Sequence, residues 1–149
     1  MAKVKLKNTR NVARGLSLKT RKKFVNVFYK NRDAVIAEIT GEILSGRSPV
    51  AGKRWDPYST DYANRFKDGS KKPVNMYLTG KMLKSLKIKK QKTAIAILFD
   101  SKIAVYHDRL GAGVSKVIRR LLPDPSKGER FNIKIRTVIK TFLMKAFRR

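Results

Sequence analysis

With 149 residues and 42% apolar content, the chain has material for one domain with a real core and not for two. It has no cysteine, which excludes disulfides, a thiol nucleophile and a thiolate metal site. Its 37 Lys and Arg against 10 Asp and Glu give a formal charge of +27, a self-repelling excess that asks for an anionic partner, either nucleic acid or acidic protein surface. No run reaches the roughly 18 apolar residues of a membrane span, so no membrane contact is expected. The basic N-terminus lacks the apolar segment of a secretion signal, so the chain is expected to stay in the cytoplasm where it is made.

Met1–Gly15 alternates Lys3, Lys5 and Lys7 with Val4 and Leu6, then carries Arg10 and Arg14, and no acid occurs before Asp33. The alternation fits an edge strand. No turn signal flanks it, however, and a basic arm that orders on assembly is the expectation, ahead of a single domain over 16–149. From Leu16 the pattern turns helical. Ser17 is an N-cap, and Phe24, Phe28, Val35, Ile36, Ile39 and Ile43 recur at three- and four-residue steps until Ser45-Gly46. These predict one helix of about 25 residues. Its first part carries Lys19, Arg21, Lys22 and Lys23, the end where the helix dipole disfavours cations, so something outside the helix is expected to compensate: DNA or an acidic neighbour. A solvated face is the plain alternative.

Gly46–Pro57 reads as a loop, with Trp55 as the anchor that packs it onto the domain, or else as an interface residue. Ser59–Phe66 predicts a short helix, and Lys67–Lys72 an exposed, mobile loop. Thr79 is placed to cap a turn or two of helix over Gly80–Leu86, with Met82, Leu83 and Leu86 inward. Lys87–Lys92 and Thr93–Phe99 follow as an antiparallel pair of strands. Ile103–His107 predicts a brief turn, Leu110–Val114 a stretch that allows left-handed backbone, and Val114–Leu122 a further strand interrupted by Arg119 and Arg120. Pro123–Gly128 can continue neither helix nor ladder. From Arg130 to the end, Phe131, Ile135, Val138, Ile139, Phe142 and Ala146 form one apolar stripe of a helix that must cover the sheet or a neighbouring subunit.

The run Tyr77–Ser85, YLTGKMLKS, carries Thr79, Gly80, Met82 and Ser85 in a "TG-x-L-x-x-S" turn ahead of a hairpin, with Met in place of Leu. After the hairpin, Ala104, His107 and Gly111 match a "YA-x-x-H-x-x-G" turn, with Ile103 at the tyrosine position and one extra residue before the glycine. Upstream, Trp55, Pro57 and Tyr58 are similar to "W-x-P-L", with Tyr58 at the leucine position; downstream, Arg119–Pro123 is similar to "P-x-R-x-F-L" without its first proline and aromatic residue. In this order the motifs resemble the tail-completion and virion-morphogenesis proteins of tailed bacteriophages, which sit in the neck between head and tail. The resemblance implies an α+β subunit: a small antiparallel sheet packed against a long N-terminal helix and a C-terminal helix. It implies a structural virion protein that completes the tail end or joins tail to head, as a closed ring of six or twelve copies around the DNA channel. The partners so implied are further copies of itself, head–tail connector or portal-side proteins, tail terminator or tail-tube proteins, and genomic DNA. The implied location is the virion, after assembly in the host cytoplasm.

Residues that could carry catalysis are sparse. His107 is the only histidine, which excludes a histidine pair or a His-based metal cluster, and with Asp108 beside it a structural hydrogen bond is the expected use. The ten acids are scattered, without the spacing of a two-metal nuclease or a glycosidase. There is no phosphate-cradling Gly-Lys-Ser/Thr loop. No enzyme, cofactor or metal is expected. Three readings remain open: the phage neck component; a sequence-independent nucleic-acid-binding protein of ribosomal or nucleoid type; and a small hydrolase built on Asp100 and Asp108. For the first two, Lys3, Lys5, Lys7, Arg10, Arg14, Lys19, Arg21, Lys22 and Lys23 are the candidate contacts to DNA or to an acidic partner.

Overall fold

The aliphatic run near residue 95 is apolar at every position, which suits a strand covered on both faces. In the computed structural model, which describes residues 6–11, 16–70, 74, 80–111 and 116–148, it occupies that place. Leu6–Asn11 (β1), Leu86–Lys90 (β2) and Ala94–Phe99 (β3) form an antiparallel sheet in the order β1-β3-β2, and all six residues of β3 are buried. The register sets Phe99 opposite Leu86 and Ile97 opposite Ile88, and this row joins the main core. The alternate row sets Leu98 opposite Lys87 and Ala96 opposite Lys89, with both lysines exposed. β1 places Lys7 opposite Leu98 and Arg10 opposite Ile95.

The edge strand within Met1–Gly15 is therefore the form that Leu6–Asn11 takes, in place of the expected arm. Its partner lies almost ninety residues away, so no local turn signal could announce it. The remainder of that stretch, including Lys3, Lys5 and Arg14, lies outside the described residues, as do Lys71, Lys72 and Thr79.

Two helices replace the single N-terminal one: Leu18–Lys30 (α1) and Arg32–Leu44 (α2). Ser17 caps α1 as expected, accepting from the Thr20 N–H at 3.2 Å. The interruption is Asn31, whose side-chain amide donates to the Val27 carbonyl at 2.8 Å while its backbone sits at φ −101°, ψ 17°. A short amide side chain that offers the backbone a competing donor is a physical reason for the break. Both helices still bury one stripe, Val25 and Phe28 on α1 and Val35, Ile39 and Ile43 on α2.

Thr60–Phe66 (α3) is capped by Ser59, and Lys81–Lys84 (α4) is a single turn before β2. Lys102–Val105 (α5) runs on into a wider π turn over Tyr106–Leu110, longer than the brief turn expected there. Ile133–Phe147 (α6) is capped by Asn132, whose Oδ1 accepts from the Ile135 N–H at 3.2 Å. It lies antiparallel against α1: Phe142 meets Phe28 edge to face at 5.7 Å, and Phe147 lies under Lys23 at 4.7 Å. The fold is thus α+β, an antiparallel sheet packed against N- and C-terminal helices.

The strand expected over Val114–Leu122 does not form among the described residues 116–122, which carry a single bridge residue at Val117. Three of their N–H groups are taken elsewhere, Arg119 donating to the His107 carbonyl at 2.7 Å and Leu121 and Leu122 to the Asp108 carboxylate. A segment whose donors end on a side chain has none left for a ladder.

Phe99, fully buried in the central strand, is the largest of the fully buried side chains. Replacement by Ala is expected to lower unfolding free energy by about 3–5 kcal/mol, read as a drop in urea midpoint at constant m.

Candidate functional site

Asp108 organises the end of the molecule where the quoted motifs converge. It is fully buried in the π turn after α5. One carboxylate oxygen accepts from the Leu121 and Leu122 N–H groups at 2.6 and 3.0 Å. The other accepts from Arg120 Nη1 at 2.8 Å. Arg120 in turn donates to Glu129 at 2.6 Å and to the Asp108 carbonyl at 2.9 Å, and Glu129 accepts from the Asp124 N–H at 2.8 Å. Burial pushes the Asp108 carboxyl up, against the opposing pull of the two N–H donors and of Arg120 and Arg109.

A second polar hub adjoins the first. Glu42, buried near the end of α2, accepts from Asn132 Nδ2 at 2.7 Å and from Lys134 at 3.1 Å. Ser48 joins the two: its hydroxyl donates to the Arg120 carbonyl at 3.0 Å and accepts from the Val50 and Ala51 N–H groups. Glu42, Glu129 and Asn132 are not singled out by sequence reasoning, and Arg120 is marked only as an interruption of a strand. Asn132 had a legible signal, a cap residue just before an apolar-periodic run, but the run was begun two residues earlier.

The motif residues hold the backbone here. Gly80 sits at φ 71° as the residue immediately before α4, and the predicted cap residue Thr79 lies outside the described residues. Met82 is buried, and the Ser85 hydroxyl donates to the Met82 carbonyl at 2.6 Å. Ala104 is fully buried, and Gly111 sits at φ 79° where a Cβ would lie 2.1 Å from the Lys116 carbonyl oxygen. Trp55 is half-buried and packs against both apolar clusters, as an anchor should, whereas Pro57 is exposed. His107 differs from expectation: its side-chain Nδ1 is buried with no hydrogen-bond partner, and the structural hydrogen bonds belong to its carbonyl and to Asp108. Burial first, and then the charge of Arg119, lower its pKa from 6.5 to about 4.

The candidate cations form a different surface. Lys19, Lys22 and Lys23 project from α1 and are exposed; Arg21 is half-buried, its Nε donating to the Leu16 carbonyl at 2.9 Å. Because α6 runs antiparallel, its last turn, with Lys145, lies against the first half of α1. That sets the negative end of the α6 dipole beside the cations that the α1 dipole disfavours. Neither helix contains an acid. Carboxylates pair within 4 Å with Arg32, Arg65, Lys87, Arg109, Arg120 and Lys134, and with none of Lys19, Lys22, Lys23, Lys30, Arg136, Lys140 or Lys145. Lys7 and Arg10 are on β1. The sequence alone does not place α6 on this surface.

Among the described residues, no group of three or more His, Cys, Asp or Glu could hold a metal ion, and no helix is long and apolar enough to cross a membrane. Asp100 and Asp108, the pair weighed for hydrolysis, are held by different partners, Lys87 at 2.9 Å and Arg120 at 2.8 Å. Comparison with protein-family models, with curated proteins and with solved structures returns no match.

Asp108→Asn keeps the shape but removes the charge that faces Arg120. It is expected to cost about 3–5 kcal/mol, measured by urea unfolding, because two N–H groups lose a charged acceptor in a fully buried site and the half-buried Arg120 guanidinium keeps only Glu129. His107 sets a pH dependence of definite sign. Its neutral form is favoured on folding, so stability is unaffected by it above pH 6.5 and is lost as pH falls from 6.5 to about 4. The loss amounts to roughly 3 kcal/mol at about 1.4 kcal/mol per unit. His107→Gln is expected to flatten the stability profile across that interval.

Proposed function

We propose that the protein is a non-catalytic structural component of a tailed-phage neck, working as a closed ring of copies that completes the tail end or joins tail to head. The observation that carries this reading is where the quoted motifs fall. The turn with Gly80, Met82 and Ser85 leads directly into the β2–β3 hairpin, and the turn with Ala104, His107 and Gly111 leads directly out of it. Both glycines take positive φ, so these positions need that residue for a backbone reason. The charge supports an anionic surrounding: six of the ten acids pair with cations outside the exposed row of α1 and α6, whose cations keep their charge for what lies outside. DNA in the channel and acidic neighbours in adjoining layers are the partners proposed to neutralise them.

A second reading, sequence-independent binding of nucleic acid, is favoured by the same α1–α6 surface. The two differ in what the isolated chain does. A neck component is expected to bind duplex DNA weakly by itself and to close into rings with a neck partner. A dedicated nucleic-acid binder is expected to bind tightly, with a steep salt slope that falls by about 0.9 for each of Lys19, Lys22 and Lys23 changed to Ala. Electron microscopy of virions carrying a tagged copy is expected to place density at the head–tail junction; virions without the protein would overturn the neck reading.

A further inference from the structure

Arg119 is 7% exposed, yet no Asp or Glu comes within 4 Å of it. All ten acids of the chain lie among the described residues. Its Nε is buried without an acceptor, and the nearby Nδ1 of His107 is likewise without a partner. What the guanidinium does have is an aromatic wall, with Tyr58 at 5.8 Å from its carbon to the ring centroid, and Tyr62 and Phe66 stacked in turn behind Tyr58 at 4.8 and 5.1 Å. Asp56 acts on it from a distance. Arginine does not escape this position by losing its proton. A buried cation that faces a ring and no carboxylate retains much of its desolvation cost, and elsewhere in this chain buried charges are matched closely, as Asp108 is by Arg120 and Glu42 by Lys134.

We propose that Arg119 is the receptor for a single carboxylate presented by an acidic protein segment, received between Tyr58 and His107. A carboxylate suits the site better than a phosphodiester for two reasons. The cation is recessed and alone, whereas a nucleic-acid backbone meets less resistance on the open row of α1 and α6. The neighbourhood is also apolar: Ile118, the residue before Arg119, is 54% exposed, and Phe66, at the end of the aromatic stack, is 51% exposed. An acidic side chain flanked by apolar residues would satisfy both, with a planar guanidinium fork offered to a planar anion. The site goes beyond the neck reading and does not require it.

The sole histidine makes the test direct, because its ring signals report one place. The full-length chain at neutral pH is titrated with N-acetyl-glutamate amide, with inorganic phosphate, and with chloride at matched ionic strength, while the His107 ring and Arg119 Nε–H resonances are followed by NMR. The glutamate probe is expected to give a saturable displacement of both resonances and to slow exchange of the Nε–H, with chloride giving neither. Arg119→Met is expected to abolish the response and to be no less stable than the parent in the absence of the probe. If that variant does not fold, the cation already stabilises the fold without an outside anion and the proposal fails. A response to phosphate alone, or none beyond chloride, overturns it as well.

Discussion

The carboxylate of Asp108 is the interaction from which the rest of this end of the fold follows. A fully buried charge is tolerable only when its lone pairs are filled, and here two backbone N–H groups and a guanidinium fill them. The same contacts fix the path of residues 120–122, which bear Leu121 and Leu122 into the core. A polar requirement at one residue thereby decides the packing of two apolar ones. With ten acids against 37 cations, carboxylates are the scarce group. The fold places several of them where each does the most structural good.

The second hub extends that control. Glu42 at the end of α2 holds Asn132, Asn132 caps α6, and Ser48 ties the intervening loop to Arg120. The sheet end, the loop after α2 and the start of α6 are thus held in one hydrogen-bonded frame. α6 then has no freedom in where its axis begins, and its apolar stripe falls against Phe28 of α1. The antiparallel pairing that results is what concentrates unpaired cations on one side.

The elements with their own periodicity were legible in the chain: α6, the hairpin of β2 and β3, and the core positions Phe28, Ile39 and Ile43 all carry their signal locally. What was not legible depends on partners distant in sequence. β1 reads as an arm because its ladder is completed by β3. Val114–Leu122 has strand composition, but the N–H groups of Leu121 and Leu122 are claimed by Asp108, a competition that no propensity encodes. Asn31 breaks a helix through one side-chain bond to Val27. For the candidate site, charge run and helix start pointed to Lys19, Lys22 and Lys23, whereas the contribution of α6 required knowing that it lies antiparallel to α1.

Charge in this protein is segregated by depth. Asp108 and Glu42 are turned inward and matched at close range, so their interactions act at low dielectric and are little affected by salt. The cations of α1 and α6 are turned outward, where a Debye length of about 8 Å at physiological ionic strength screens their mutual repulsion enough for the body to fold. Screening by mobile ions is unspecific and has an entropic cost, and a fixed anionic surface at the same place releases those ions. The separation therefore yields a body whose stability is internal and whose outer charge is available to a partner. Arg119 is the exception to the segregation, a cation at the depth of the acids with an aromatic wall where the others have a carboxylate. A buried cation so placed is the part of the molecule that gains most from an anion it does not itself contain.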